Sequence, residues 1–229
     1  MSENPIKKIT RGIIVLLPIC FFSVSCSVGG NSSEDLKFAD PGKSMKLGTV
    51  EGNRFTSPAF KFSMDVPEGW SNFLGDRTDE MLQMGADAVF DDDTQDALRE
   101  SIQQTYAVFQ YGQYPLGAAV PFNPNINTVA NPLPPDLQMT NLQMAKENEV
   151  ALPQLSPSIA LKTPAFEIDI DGFRVAAIEI TMVMNNVQLE QRHIFFESNG
   201  YVIDIVLSYV DQANLDVMMD SVRTLRLEN

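Results

Sequence analysis

Between Ala165 and Tyr209 the chain alternates with a period of two and is broken at regular intervals by turn signals. Few folds accommodate that pattern. Ala165 to Ile170 alternates, Asp171-Gly172 is a two-residue hairpin turn, and Phe173 to Met184 alternates again. Asn185-Asn186 makes a second turn, Val187 to Glu197 a third strand, Ser198-Asn199-Gly200 a third turn, and Tyr201 to Tyr209 a fourth strand. The result is a four-stranded antiparallel meander. Two-residue loops would set Asp169 opposite Arg174, Glu179 opposite Arg192, and Arg174 opposite Glu197, opposite charges each worth a few tenths of a kcal/mol. The same register sends Ile178, Ile180, Met182, Leu189, Phe195, Ile203, Ile205 and Leu207 to one face. Phe166, Ile168, Ile170, Phe173, Val175, Ala177, Ile194, Phe196 and Val202 go to the other. A sheet with one wet face would show polar residues there. Here both faces are largely apolar, so helices are expected to cover both.

The flanking segments supply them. Asp79 to Phe90 and Asp93 to Gln104 carry helical spacing, the second with Asp93 placed to cap it. Pro135-Asp136 opens a helix over Leu137, Leu142 and Ala145, and Asp211 caps a last one with apolar residues at Leu215, Met218, Val222 and Leu225. Further strands are read at Ala59 to Val66, where Pro67-Glu68-Gly69-Trp70 then turns the chain, at Tyr106 to Gly112, and near Ile126 to Ala130 within a proline-rich loop. Trp70 is expected at the core edge. The fold class is therefore α+β: an α/β/α sandwich around a central antiparallel sheet, with the C-terminal meander and a closing helix.

The strand and turn Phe60-Lys61-Phe62-Ser63-Met64-Asp65-Val66-Pro67-Glu68-Gly69-Trp70 resembles the PsbP and Mog-type family, as do Asp171-Gly172-Phe173-Arg174, Arg192-His193-Ile194-Phe195-Phe196, Gly200-Tyr201 and Val222-Arg223-Thr224-Leu225. The resemblance spans residues 55–227 and implies the sandwich fold. Members of that family assist photosystem assembly, bind a small nuclear GTPase, or sit in bacterial envelopes. None of those activities rests on a residue that maps here.

At the N-terminus, Lys7, Lys8 and Arg11 precede an apolar run from Ile13 to Phe22, which has the layout of an export signal. The run is about ten residues, half of the roughly 20 a helix needs to span a bilayer. Ser23-Val24-Ser25-Cys26 resembles the lipobox of bacterial lipoproteins; Ser23 departs from the aliphatic residue usual there, so ordinary signal-peptidase cleavage stays open. The resemblance implies a signal peptide over 1–25 and a lipidated, palmitate-bearing Cys26. With Ser27 rather than Asp following, it also implies an outer-membrane anchor facing the periplasm. Residues 26–54, rich in Gly, Ser, Asn, Asp and Lys, read as a flexible tether, and 55–229 as the folded domain.

Formal net charge is −14, which makes nucleic acid an unfavourable ligand. Cys20 and Cys26 are the only cysteines, so the domain has no disulfide framework. His193 is the only histidine; multi-histidine metal sites are excluded, and by register it lies covered between Ile178 and Ile205. Asp91, Asp92, Asp93 and Asp96 offer carboxylates to a hard cation but lack the glycine and distal glutamate of a calcium loop, and a solvated cap is the better reading. Met182 with Met184, and Met218 with Met219, are better read as core filler than as copper ligands. No cofactor motif is present. On the second face of the sheet, near Asn185-Asn186, Glu179, Thr181, Glu190, Arg192, Asp204 and Ser208 gather on otherwise apolar ground. They form either a charge network at a sheet corner or a ligand or partner site built around Arg192. The expectation is a non-enzymatic, envelope-anchored lipoprotein that binds another envelope protein or assists assembly. The alternative is a ligand-binding or hydrolytic domain working through Glu179, Arg192 and Asp204.

Overall fold

A computed structural model describes residues 37–42, 45–75, 78–184 and 187–228. The export segment, Cys26 and the Asn185-Asn186 turn lie outside the described residues. In chain order the elements are β1 (Thr49–Glu51), β2 (Arg54–Ser57), β3 (Phe62–Asp65), β4 (Ser71–Asn72), α1 (Thr78–Val89), α2 (Asp92–Ile102), β5 (Tyr106–Gly112), β6 (Asn125–Pro132), α3 (Asn141–Leu155), β7 (Ile159–Ile170), β8 (Phe173–Met184), β9 (Val187–Ser198), β10 (Tyr201–Tyr209), α4 (Gln212–Val222) and β11 (Arg226–Leu227).

The fold is α+β with antiparallel sheets. Among the described residues, one sheet has seven strands in the order β4-β5-β6-β10-β9-β8-β7, and a second has four in the order β1-β2-β3-β11. On one face of the large sheet, Leu82 and Ala86 of α1, Leu98 and Ile102 of α2, and Met144, Ala145, Ala151, Leu152 and Leu155 of α3 pack on Ala176, Ile178, Ile180, Leu189 and Phe195. On the other face, Leu215, Met218, Met219 and Val222 of α4 share the cover with Phe55, Phe62 and Met64 of the small sheet. They seal over Val175, Ala177, Ile194, Phe196, Ile203 and Ile205. Both faces are covered, as the two apolar alternations require, but a second sheet does part of the work assigned above to helices.

That small sheet begins inside the segment read as tether. Arg54 explains how strands so short hold: its guanidinium donates to Asp65 Oδ1 (2.9 Å), Ser63 Oγ (2.8 Å) and the Thr224 carbonyl (2.9 Å), tying β2 to β3 and to the chain after α4. A Cβ at Gly48 would meet the ring of Phe55, which packs against Phe62 and Phe109, so a side chain there would displace that ring.

Local chemistry moves three boundaries. Asp91, not Asp93, caps α2, accepting from the Thr94 amide at 2.8 Å, while Asp92 and Asp93 fill the first turn, where the helix dipole favours anions. α3 starts at Asn141 rather than at Pro135-Asp136, because Thr140 and Gln143 form a reciprocal capping box. Pro134 to Leu137 instead closes a turn, with the Leu137 amide donating to the Pro134 carbonyl at 2.9 Å. β7 extends six residues further toward the N-terminus than the alternation from Ala165 suggests. Its register shifts on either side of Thr163, next to Pro164, which has no amide hydrogen to donate. The neighbouring Ala165 amide donates to Glu149 Oε2 at 2.7 Å, so this sheet edge is already partly capped by α3.

Candidate functional site

Register decides which polar residues meet. Asp169 pairs with Arg174 and Glu179 with Arg192, as the hairpin arithmetic predicts. Arg174 and Glu197 do not form the expected ion pair: the Asn141 side chain accepts from the Glu197 amide at 3.1 Å and donates to the Arg174 carbonyl at 2.7 Å, bridging the two strands. Arg174 instead lies 3.8 Å from Glu167.

The turn between β9 and β10 holds two residues, not three. Asn199 and Gly200 both take positive φ (52° and 80°), the primed-turn geometry that matches strand twist, and Ser198 pairs directly with Tyr201. One residue fewer in the loop turns every side chain of β10 to the opposite face. Ile203, Ile205 and Leu207 therefore lie against α4 and the small sheet, and Val202 lies on the α1–α3 side. Asp204 and Ser208 leave Glu179 and Arg192 for the same reason. The expected cluster of Glu179, Arg192 and Asp204 is split by the thickness of the sheet.

What remains on the α4 side, at the end of the sheet where β8 meets β9, is an ion network. Arg192 donates through Nε (2.9 Å) and Nη2 (2.5 Å) to Glu179 Oε1, and Thr163 Oγ1 donates to Glu179 Oε2 at 2.6 Å. Lys162 Nζ lies 3.9 Å from Glu179 and pairs with Glu190. The Arg192 guanidinium also lies 5.8 Å from the centre of the Phe166 ring. Burial alone would raise the Glu179 pKa, but the hydrogen bonds from Thr163 and Arg192, with the charges of Arg192 and Lys162, outweigh it and hold the carboxyl below its ordinary value. Tyr209, whose hydroxyl points at Glu179 Oε1 from 3.4 Å, is pushed up by burial and by the charges of Glu179 and Glu190.

The sign of the pH effect follows. A carboxyl depressed in the folded state contributes stability that is present above 4.5, its ordinary value, and is lost as pH falls through the folded pKa. Glu179→Gln should thus remove part of the acid-side loss. Chemical denaturation at neutral pH and at successive values below 4.5 should give a shallower fall for the variant, because Glu179 no longer has a proton to take up.

Asp204 has a different partner. It is fully buried, and its Oδ2 lies 3.1 Å from Nδ1 of His193, which is also fully buried. Burial raises the Asp204 pKa, and the neighbouring His193 works against that rise. His193 is covered as expected, but between Ile178 and Val206 rather than Ile205.

Around this pair lies a feature not recognised from the sequence. The α1–α3 face of β5, β6, β10 and β9 carries Gln110, Asn125, Asn127, Asn131, Gln191, His193, Asp204 and Ser208, none more than 5% exposed. Cross-strand register sets Gln110 beside Asn127 and Asn127 beside Val206, which in turn neighbours His193. Some of these groups pair with each other: Asn127 Nδ2 donates to Asn125 Oδ1 (2.7 Å), Gln191 Nε2 to Ser208 Oγ (2.9 Å), and Thr105 Oγ1 to Asn131 Oδ1 (2.6 Å). Both amide atoms of Gln110, Oδ1 of Asn127, Nδ2 of Asn131, Nε2 of His193 and Oδ1 of Asp204 make no hydrogen bond to a protein group. The available signal was the alternation of Asn123, Asn125 and Asn127 through a strand now seen to be central.

The other candidates are structural. Asp91 is the α2 cap, and Asp96 pairs with Arg99 at 2.9 Å. Among the described residues no group of three or more His, Cys, Asp or Glu side chains is placed to hold a metal ion. Met182, Met218 and Met219 are packed in the two cores, and Trp70 sits half-buried against the second. No described helix is long and apolar enough to cross a membrane.

No protein-family model matches the chain, and no curated protein matches it. Among solved structures, a protein from Bacteroides thetaiotaomicron is similar at 12% identity and a TM-score of 0.42, over 79% of this chain and 50% of that one. This chain therefore spans half the length of that protein. Cyanobacterial PsbP (CyanoP) from Synechocystis is similar at 12% identity and a TM-score of 0.49, over 79% of this chain and 98% of that one. A protein of unknown function from Pseudomonas aeruginosa gives 18% identity and a TM-score of 0.39, over 55% and 82%.

Proposed function

We propose that this chain is a non-enzymatic binding module, anchored in a cell envelope by lipid on Cys26, that docks a partner envelope protein through the end of the sheet around Arg192. The carrying observation is the pairing of fixed charge with exposed apolar surface at that end. Val183 is 50% exposed and lies on the same face of β8 as Glu179, whose network takes in Lys162, Glu190 and Arg192. Ion pairs already locked to one another lose little side-chain freedom on binding, and apolar groups beside them supply desolvation energy. Glu179, held ionised by its donors, is a permanent charge suited to recognition and poorly suited to proton transfer near neutrality. The PsbP-type motifs and the periplasm-facing outer-membrane location belong to the same reading.

Two experiments test it. Cys26→Ser in the full chain should remove the lipid mass from the mature N-terminus and move the protein out of the membrane fraction, since stable anchoring needs acyl chains at that point. Lys162→Glu combined with Val183→Asp should lower recovery of the partner from cells crosslinked before lysis by about tenfold or more, the loss of one strong contact. Leu227→Asp, which alters another exposed apolar residue on the small sheet, should leave recovery unchanged. Equal recovery from all three proteins would refute the docking site.

A further inference from the structure

β7 forms one edge of the seven-stranded sheet, pairing with β8 on one side and, among the described residues, with no strand on the other. Its two halves differ. Over residues 159–165 the edge is guarded: the register shifts on either side of Thr163, Pro164 lacks an amide hydrogen, and Glu149 of α3 takes the Ala165 amide. Over residues 166–170 the register is unbroken and proline is absent. The Asp171-Gly172 turn, with both residues at positive φ, makes Ile170 and Phe173 a hydrogen-bonded pair. Ile168 with Val175 and Phe166 with Ala177 follow by alternation, so the amides and carbonyls of Glu167 and Asp169 point outward from the sheet. The Ala165 amide, met by Glu149, fits the same alternation.

The side chains say what could pair there. Phe166 and Ile168 are half-buried against the core beneath α4 and the small sheet, and an added strand would cover what they leave exposed. Glu167 and Asp169 stand exposed on the other face, and the Glu149 carboxylate at the Ala165 amide continues the row. Arg174, 3.8 Å from Glu167, offsets one of these charges. A second copy of this chain paired through the same edge would set carboxylate against carboxylate, which is destabilising. We propose that residues 166–170 take an extended segment of another protein as an additional strand, one that alternates β-branched apolar residues with lysine or arginine. Main-chain hydrogen bonds to Glu167 and Asp169 hold it, its apolar residues lie beside Phe166 and Ile168, and its basic residues face the two carboxylates. This edge lies at the Gly172 end of the β7–β8 hairpin and Val183 at the other, so the inference stands whether or not the Arg192 end docks a partner.

The test titrates the full chain with a short, blocked, fluorescent peptide alternating valine and lysine, and with its counterpart carrying glutamate in place of lysine. The lysine peptide should bind about tenfold or more tightly than the glutamate peptide. Exchange of the Glu167 and Asp169 amides, followed by NMR, should slow by about tenfold or more while it is bound. Glu167→Lys with Asp169→Lys should invert the preference, which neither a misfolded variant nor general attraction to an acidic protein would do. Glu167→Pro, which removes an outward donor but no bond to β8, should keep the wild-type melting temperature and bind more weakly than Glu167→Gln. Binding of neither peptide, equal binding of both, or binding without slowed exchange at those two amides overturns the proposal. So does slow exchange in the free protein together with a dimer in sedimentation, which assigns the edge to a second copy. Should the double lysine variant not fold, Glu167→Pro against Glu167→Gln decides, and equal binding by those two refutes strand addition.

Discussion

Asp204→Ala should destabilise the domain by about 3–5 kcal/mol, the cost of removing one member of a buried pair and leaving the other uncompensated. His193 would keep Nδ1 in a fully buried position with nothing to meet it. Asp204→Asn should cost less, because an amide oxygen can still accept from Nδ1. Denaturant unfolding of Asp204→Ala, His193→Phe and the double variant should show a double-variant loss well below the sum of the single losses, the signature of direct coupling. A cycle with Glu179→Gln, across the sheet, should be additive. If Asp204 shared a face with Glu179, as a three-residue turn before Tyr201 would place it, the couplings would be reversed. Removing Asp204 would then relieve a carboxylate of a like-charged neighbour.

Phe55→Ala should cost about 3 kcal/mol or more, the range for deleting a buried aromatic ring. Phe55 is 4% exposed, meets Phe109 of the large sheet edge-on at 4.8 Å between ring centres, and lies 5.8 Å from Phe62. A surface residue without such packing would cost less than about 0.5 kcal/mol. A shift of the denaturant midpoint with unchanged slope would show that β1, β2 and β3 fold as part of the domain.

These two residues mark where the sequence was legible and where it was not. The long strands are legible because nine to twelve residues of alternation leave one interpretation: Phe173–Met184 and Tyr201–Tyr209 have the ends the alternation predicts. Their turns were nearly as clear, since Asp171-Gly172 and Asn199-Gly200 both adopt the positive φ that Asp-Gly and Asn-Gly favour. Including Ser198 in the turn before Tyr201 is a single-residue error, but in a strand that error reverses the face of every side chain. β1 and β2, at three and four residues, are too short for a period to register. The site followed the same logic. Glu179 and Arg192 sit on strands whose register follows from the alternation and so come together, while Lys162 and Thr163 lie beyond the register shifts of β7, where the alternation no longer reports. The buried polar residues of β5, β6, β9 and β10 escape the sequence for a different reason. Alternating asparagines in Asn123 to Asn127 look like the wet side of an edge strand until the topology places β6 between β5 and β10.

The docking end can be tested most directly in living cells by placing a photoreactive amino acid at Val183 and, separately, at Leu227, then irradiating. Position 183 should give one discrete adduct with an envelope protein, reduced by Lys162→Glu, and position 227 should give none. Adducts of equal yield from both positions, or none from 183 while the protein remains folded and membrane-bound, would contradict it.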